Sequence, residues 1–283
     1  MDRPAQSLPG VEAMVEYIAP HCGPTLRYLG DGQEVNTGAF ERHTVFVADA
    51  RALTPRPTLA SAGFELARHT SGVDFYDDQG AETAYAHEIE PLLLALTGAD
   101  KAVLFGARRR HTGPISPQTL PGASDVHVDY AAPDARRMAL ALLGPEGEAG
   151  MPYRRFMAVN LWRSLSPPPQ DRPLAICDGR SVVTQGGVFN TLMLVDAIPP
   201  PEARPSEPPP DPAARRGFLF HHDPAHLWRY YPDMGPDEVV LFKLYDSTET
   251  GPWRCPHVSF VDPTVQGAPP RESYEIRSFV YFR

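Results

Sequence analysis

Residues 155–165, RFMAVNLWRSL, begin the part of the chain that decides its fold. Apolar residues dominate this run, and several short apolar runs follow it, each bounded by proline, glycine or aspartate. They are PLAICDG (173–179), SVVTQGGVFNTLMLV (181–195), HLWRYYPDM (226–234), EVVLFKLYDS (238–247), HVSFVDP (257–263) and SYEIRSFVYF (273–282). Antiparallel strands at such intervals predict a sandwich, a jelly roll or a barrel.

The first half of the chain combines strand and helix patterns. HTVFVADARAL (43–53) and KAVLFGARRR (101–110) predict strands, the second with a basic end. A helix is expected from near Ala81, because Ala84, Glu88, Leu92 and Leu96 recur at helical spacing. We also expect a short helix over residues 58–71 and a third helix in APDARRMALALLG (132–144), which has proline near its start and glycine past its end.

Two segments read as irregular. Residues 1–60 are expected to be an N-terminal lead-in, mostly extended up to residue 40. Residues 198–216, IPPPEARPSEPPPDPAARR, read as a solvated proline-rich surface loop, because proline removes backbone donors and fixes the backbone. The resulting expectation is a β-rich α+β chain that forms one domain over residues 1–283.

Composition excludes several classes of function. The 283 residues carry a formal charge of −9 and no long basic stretch, so nucleic acid is an unexpected partner. No apolar window is long enough for a membrane span, and the N-terminus lacks a signal-peptide pattern. Cys22, Cys177 and Cys255 are widely spaced, which favours a reducing, cytoplasmic setting. The oligomeric state stays open.

SDVHVDY (124–130) holds a histidine and an aspartate one residue apart on a predicted strand. Residues i and i+2 of a strand point to the same side, so His127 and Asp129 can present ligands together. An open Fe(II) site for oxygen chemistry uses two imidazoles and one carboxylate on one face. On its own the pair is a weak signal, because His-x-Asp occurs by chance in many chains, and two polar residues on the solvent side of a strand are the better interpretation.

The rest of that constellation can be found further along the chain. His257 begins a late apolar run and is the best candidate for the third ligand. Arg271 follows 14 residues later, and Ser273 lies on the same strand face. The planar fork of an arginine suits a carboxylate co-substrate, and Ser273 could grip the same carboxylate. Arg277 shares strand parity with Arg271 and is the second candidate anchor.

The chain resembles the Fe(II)/2-oxoglutarate-dependent dioxygenases, and in particular the hydroxylase/desaturase group related to fungal gibberellin desaturase and the bacterial cephamycin 7-oxygenation proteins. The resemblance covers most of residues 69–283. Besides the runs quoted above, the matching phrases include HTSGVDFYDD (69–78), VLFGARRR (103–110) and RESYEIRSFVYF (271–282). The sequence departs from the group at Ser164, where a proline is usual, and in FHHDPAH (220–226).

The resemblance implies a double-stranded β-helix (jelly-roll) core with flanking helices. It also implies Fe(II) held by His127, Asp129 and His257, and 2-oxoglutarate held at Arg271. The expected reaction is hydroxylation, desaturation or cyclisation of a small molecule by O2, in secondary metabolism or on an amino-acid-derived substrate.

Candidate substrate contacts lie outside this set. Asn160 and Trp162 share one face of their strand, and one of the three arginines 108–110 is expected to point inward, with Arg110 preferred. The histidine cluster contributes His222 and His226, and Tyr230 is a candidate for the cavity wall. For each of these residues, packing or surface exposure is the alternative.

Three other functions remain open on the sequence alone. The same ligands could serve an iron oxidase that uses no 2-oxoglutarate. They could also hold another divalent ion in a cupin-like isomerase or hydrolase, and the chain could instead be a non-catalytic partner protein. Conversion of 2-oxoglutarate to succinate separates these alternatives from the dioxygenase.

Overall fold

The computed structural model describes residues 8–30, 33–113, 122–182, 186–211 and 213–283, and strands predominate in it. In chain order the strands are β1 (Gly10–Ile18), β2 (Thr25–Gly30), β3 (Gln33–Asn36), β4 (Phe40–Asp49), β5 (Phe64–Arg68), β6 (Lys101–His111), β7 (His127–Val128), β8 (Arg155–Ser164), β9 (Leu174–Cys177), β10 (Gly187–Leu194), β11 (Arg215–Phe220), β12 (Trp228–Tyr230), β13 (Glu238–Asp246), β14 (His257–Ser259) and β15 (Glu272–Phe282). The α-helices are α1 (Ala81–Thr97), α2 (Ala132–Leu142) and the single turn α3 (Pro145–Glu148). Within the described ranges, none of the helices is long and apolar enough to cross a membrane.

The strands form two sheets. The larger sheet has the order β1-β4-β12-β9-β14-β7-β11-β10-β2-β3, and the smaller has the order β5-β13-β8-β15-β6. Neighbours in the smaller sheet are antiparallel throughout. The larger sheet includes parallel pairs, β10 with β2 and β12 with β4, which bring N-terminal strands beside strands from the second half of the chain.

Successive side chains of β8 point to opposite faces of the smaller sheet. Met157, Val159 and Leu161 pack on the outer face against α1, whereas Phe156 and Trp162 belong to the core between the sheets. Helix α1 covers the outer face with Tyr85, Ile89 and Leu93, and α2 packs into the core cluster through Ala135 and Ala139. The inner faces of the two sheets therefore enclose the space in which a ligand can be held.

The predicted strands of the second half and both longer helices are confirmed, with small shifts of boundary. Helix α1 begins at Ala81 as expected, but its buried side chains lie one position beyond the predicted face, at Tyr85, Ile89 and Leu93. The prediction of a helix over residues 58–71 is wrong. Phe64 and Leu66 face the core at the period of a strand, and β5 pairs with β13.

The N-terminal segment is more ordered than the sequence suggested. Residues 1–60 contain β1 to β4, all within the larger sheet, and Val11, Ala13, Val15 and Tyr17 alternate into its core. The proline-rich segment agrees with the expected loop over most of its length. In its described part a 3-10 turn forms at Pro201–Ala203, and β11 begins at Arg215, inside the range that was predicted to be loop.

Candidate metal centre and adjoining cavities

Two neighbouring strands bring three potential metal ligands together. β14 pairs with β7 so that His257 lies opposite His127, with the two ring centroids 4.4 Å apart. Asp129 follows one residue after β7 ends, and one ligand atom from each of the three side chains lies within 4.8 Å of the other two. The histidine pair and the aspartate therefore form the cluster that the sequence predicted.

Backbone carbonyl groups orient both imidazole rings. The Nδ1–H group of His127 donates to the carbonyl oxygen of Asp125 at 2.8 Å, and that of His257 donates to the carbonyl oxygen of Cys255 at 3.4 Å. These bonds leave Nε2 of each ring free of a proton and able to bind a cation, as in many histidine-ligated metal sites. His127 Nε2 lies 3.6 Å from Asp129 Oδ1.

The pKa shifts of His257 and Asp129 favour the forms that bind metal; at His127 burial opposes the charged form, but the carboxylates of Asp129 and Asp125 outweigh it and raise the pKa. Burial, reinforced by the neighbouring His127, lowers the pKa of His257 to about 3, so this ring is neutral at physiological pH. Burial opposes the charge on Asp129, but the guanidinium of Arg277 and the two histidines outweigh it and hold the pKa of Asp129 well below its usual range. A neutral imidazole and an ionised carboxylate are both ligands suited to a divalent cation.

A network of ion pairs extends from Asp129 to residues of β15 and β6. Arg277 Nε donates to Asp129 Oδ2 at 2.7 Å, and Arg277 Nη2 donates to Glu275 Oε1 at 3.2 Å. Arg110 Nη2 donates to the same Glu275 oxygen at 2.7 Å. The carboxylates of Asp129 and Glu275 raise the pKa of Arg277 although burial acts in the opposite direction. Arg277 thus holds one oxygen of Asp129 in place.

A small pocket, here called the inner pocket, adjoins the cluster. It is lined by the three cluster residues together with Trp162, Ser259 and Arg271. Arg271 is 1% exposed, and its guanidinium lies 5.3 Å from the Trp162 ring centroid. Burial lowers the pKa of Arg271 to about 10, so the group is still charged at neutral pH.

The inner pocket has polar atoms without partners. In the part of the chain that the structure describes, Arg271 Nε and Ser259 Oγ are buried and make no hydrogen bond; Ser273 Oγ is also buried and unpaired, but Ser273 is not among the residues that line this pocket. Leaving a charged guanidinium nitrogen and a hydroxyl unpaired is costly, unless a bound polar group completes them. The donor set fits the carboxylate of a small co-substrate beside the cluster.

A larger cavity of about 290 Å³, here called the main cavity, opens on the other side of the cluster. His127 and Asp129 line it, as does Arg277. Strands β2, β10 and β11 form one wall and β6 contributes another, while α2 supplies Asp134, Arg137 and Met138. The cluster therefore lies between two spaces that could be filled by different molecules.

The remaining predicted substrate residues occupy three different environments. Arg110 lines both spaces and Trp162 lines the inner pocket. Asn160 shares the inner face of β8 with Trp162, opposite Arg277 of β15, and its Oδ1 is buried without a partner in the described ranges. The notion that Asn160 and Trp162 share one strand face is confirmed.

His222, His226 and Tyr230 lie elsewhere. His226 Nδ1 is 3.0 Å from the Tyr17 hydroxyl, and His222 stacks on His43 with ring centroids 3.9 Å apart. Tyr230 packs edge to face on a phenylalanine in the core of the larger sheet. Among the described residues, these three line neither the inner pocket nor the main cavity. Their contact with substrate remains a prediction that neither space supports.

The sequence did not identify several of the residues that line the inner pocket and the main cavity. Ser259 could have been found, because it follows His257 by two residues on the same strand and so shares its face. Arg27 and Asn190 gave no local signal, since they meet through the parallel pairing of β2 and β10, which are far apart in the sequence. Arg215 was not identified because it lies at the end of the segment that was predicted to be a loop, where β11 begins.

Comparisons with known proteins agree with the oxygen chemistry that this geometry allows. A family model described as "Oxidoreductase/YMDC permease-like domain" matches residues 15–281. The hydroxylase/desaturase CTB9 of Cercospora beticola is 31% identical over 267 residues, which cover 86% of this chain and 78% of that protein. The Fe(II)/2-oxoglutarate-dependent dioxygenase nvfI of Aspergillus novofumigatus is 29% identical over 72% of this chain and 69% of its own length.

A solved structure has the same fold. The iron and alpha-ketoglutarate-dependent endoperoxidase NvfI superposes with a TM-score of 0.80 and 24% sequence identity, over 96% of this chain and 98% of that one. The match spans both sheets and therefore includes the strands that carry the cluster.

Proposed function

The chain belongs to the hydroxylase/desaturase family of Fe(II)/2-oxoglutarate-dependent oxygenases, and we propose that it oxidises a small molecule at the cluster of His127, Asp129 and His257. The observation that supports this site most directly is the convergence of the three ligand atoms within 4.8 Å. Two histidines and one carboxylate on one side leave the opposite side open, which is the arrangement of Fe(II) oxygenases.

We propose that 2-oxoglutarate binds in the inner pocket. The buried charge of Arg271 would meet a carboxylate of the co-substrate, and the unpaired hydroxyl of Ser259, which lines the same pocket, would complete its hydrogen bonds. Trp162 packs on the Arg271 guanidinium and fixes its fork. When bound, Fe(II) would activate O2, and the oxidative decarboxylation of 2-oxoglutarate to succinate and CO2 would supply two of the electrons, so that the site could oxidise a C–H bond of the substrate.

The protein's own groups position the reactants and exclude water. Arg277 holds one oxygen of Asp129, which leaves the other to face the two histidines. Phe242 packs on the ring of His257 with centroids 4.7 Å apart and closes that side of the cluster to solvent. The main cavity receives the substrate, so its shape determines which C–H bond lies nearest the cluster.

Hydroxylation, desaturation and ring closure are all open to such a site, and the position of the substrate in the main cavity selects among them. The partners we propose are a small-molecule substrate and O2. We further propose that the two sheets form a double-stranded β-helix over a single domain, supported by the interleaved order β9-β14-β7-β11 in the larger sheet. A cytoplasmic location stays a prediction.

The experiment that tests this function is Fe(II)-dependent conversion of 2-oxoglutarate to succinate in air without added substrate. Oxygenases of this kind turn over slowly in this uncoupled way, and we expect His257→Ala to abolish succinate formation. His87→Ala is the matched control, because His87 is exposed on α1, far in sequence from the cluster. Equal succinate formation by the His257→Ala and His87→Ala variants would contradict the proposed centre.

A further inference from the structure

The main cavity is basic, although the chain is acidic overall. The formal charge of the chain is −9, yet seven of the residues that line this cavity are arginines and only three are carboxylates. Arginines that converge on one cavity repel each other, and a bound anion in the cavity would relieve this repulsion. The cavity therefore has the electrostatic character of an anion site.

Most of these arginines already have acidic partners. Arg27 pairs with Glu34 at 2.7 Å, and Arg277 pairs with Asp129. Arg216 pairs with Asp134, which also binds Arg137. Their charges are largely neutralised within the wall of the cavity, so they contribute less to the binding of an external anion.

Arg108 and Arg215 have no acidic partner among the residues that the structure describes. Among the described residues, Arg108 Nη1 donates to the carbonyl oxygen of Ala107 at 2.8 Å. Both side chains line the main cavity, Arg108 from β6 of the smaller sheet and Arg215 from β11 of the larger. Two solvent-exposed arginines without an ion-pair partner in the described ranges thus line one space from opposite sheets.

The position of Arg215 along β11 sets its distance from the cluster. Leu219 of this strand pairs with His127, and Arg215 lies four residues earlier. At a rise of about 3.3 Å per residue, the two positions are roughly 13 Å apart along the strand. An anion held at Arg215 therefore lies well away from the cluster and from the inner pocket.

The wall between these two points is apolar. Phe105, Leu192, Phe218 and Leu219 line the main cavity together with Met138. In the register of the sheet, Leu192 lies between Arg215 and Arg27, so apolar contact begins directly beside the arginines. A ligand that matches this wall has an acidic group at one end and an apolar body that reaches the cluster.

We propose that the substrate is a small acid, whose carboxylate or phosphate is bound by Arg108 and Arg215 and whose apolar body carries the C–H bond to be oxidised. This inference rests on the proposed function, and it names the class of substrate for the same site. The planar guanidinium groups bind the oxygens of either acid in a forked geometry, and they fix which end of the molecule enters first.

The test uses fluorophenyl alkanoic acids of increasing chain length, the matching phosphonates and the matching primary amides. Each is titrated into the protein with Fe(II) and excess 2-oxoglutarate under argon, and fluorine NMR follows binding through the line broadening caused by the paramagnetic iron. Excess 2-oxoglutarate keeps the acids out of the inner pocket. The variants are Arg108→Gln, Arg215→Gln and their double variant, with the exposed Arg56→Gln as the matched control.

We expect at least one acid to bind roughly tenfold more tightly than its amide, a difference of about 1.4 kcal/mol. The double variant should lose this preference, while Arg56→Gln keeps it. The tighter of the carboxylate and phosphonate series identifies the acidic group. The proposal is overturned if no acid binds at millimolar concentration, if acids and amides bind alike, or if the double variant retains the preference.

The visible spectrum of the same samples tests the proposed function separately from the substrate class. A charge-transfer band between iron and 2-oxoglutarate with no preference for acids would refute the substrate class and leave the proposed function standing. The absence of that band would refute the proposed function itself.

Discussion

Arg277 lies in β15 and Arg271 immediately precedes that strand, and their surroundings give them different tasks. Arg277 is bound by Asp129 and Glu275, so its charge is already used inside the protein. Arg271 is buried beside Trp162, and its Nε has no partner among the described residues. A buried charge without a partner is costly, so Arg271 is the arginine that needs a bound carboxylate.

Substitution of Arg271 should therefore act on the co-substrate. We expect Arg271→Gln to raise the KM for 2-oxoglutarate at least thirtyfold, because losing one partner of a buried charge pair costs about 2 kcal/mol or more. Arg277→Gln should mainly weaken Fe(II) binding, since it releases Asp129. Succinate assays over a range of 2-oxoglutarate and Fe(II) concentrations check both. A larger rise in the KM for 2-oxoglutarate in Arg277→Gln would reverse the assignment.

The sequence predicted that the three cluster residues and Arg271 could lie close together. That prediction was possible because the alternation of side chains along a strand and the order of motifs along the chain can both be read from the sequence. The sequence could not predict the partner of Arg277. That contact depends on how far β7 lies from β15, and the two strands belong to different sheets.

Among the elements, β6 is the strand whose shape matters most for the main cavity. Its pairing with β15 shifts between Glu275 and Arg277, and Gly106 at this bulge has a φ of +66°. The bulge changes the parity of the strand, so that Phe105, Arg108 and Arg110 all line the main cavity. Arg109 points away and lies over the Tyr76 ring.

Gly106 should resist substitution for this reason. We expect Gly106→Ala to lower the free energy of unfolding by about 1 kcal/mol, because a side chain with a Cβ disfavours the left-handed conformation. The added methyl group itself has room, since the nearest atom outside the neighbouring residues is 3.9 Å away. Gly23→Ala is the control, as Gly23 has no neighbour within 4 Å and no positive φ. Urea unfolding measures both, and equal stability would refute the role of the bulge.

The two sheets are also joined by an ion pair at the end of β4. Arg51 follows this strand and binds both carboxylate oxygens of Glu238, at the start of β13, at 2.8 and 2.7 Å. These hydrogen bonds lower the pKa of Glu238 in the folded protein. A lowered pKa stabilises the fold above the unfolded value of about 4.3, and that contribution is lost as the pH falls through the folded value.

We therefore expect Glu238→Gln to destabilise the protein by about 1.5–3 kcal/mol at neutral pH, the usual range for hydrogen bonds to charged groups. The difference between variant and parent should shrink as the pH falls below the unfolded value of about 4.3, and it should vanish once Glu238 is protonated in the folded parent. Urea unfolding at several pH values measures it. A difference that stays constant into acid would show that the ion pair is not its cause.

The element patterns explain which parts of the fold could be predicted. Helix α1 and strands β8, β13 and β15 have long periodic apolar runs, and these were identified from the sequence. Strand β5 was mistaken for a helix, because its short run contains few residues and its pairing with β13 decides its conformation. Boundaries and short strands depend on partners that are distant in the sequence.

For the whole molecule, the central feature is that two sheets enclose one cluster with a separate space on either side. The sequence predicted a strand-rich fold, but not that β1 to β4 complete the larger sheet, because the parallel pairing of β2 with β10 joins residues more than 150 positions apart. That pairing brings Arg27 to the main cavity. The substrate wall is thus built by long-range contacts, whereas the cluster is built by short motifs.

The central proposal is that His127, Asp129 and His257 bind Fe(II) and that 2-oxoglutarate joins them in the inner pocket. Anaerobic addition of Fe(II) and then 2-oxoglutarate, followed by the visible absorption spectrum, tests it most directly. We predict a weak charge-transfer band that is absent in His257→Ala, and that requires more 2-oxoglutarate in Arg271→Gln. Iron bound without such a band, or a band that survives in His257→Ala, would contradict the account.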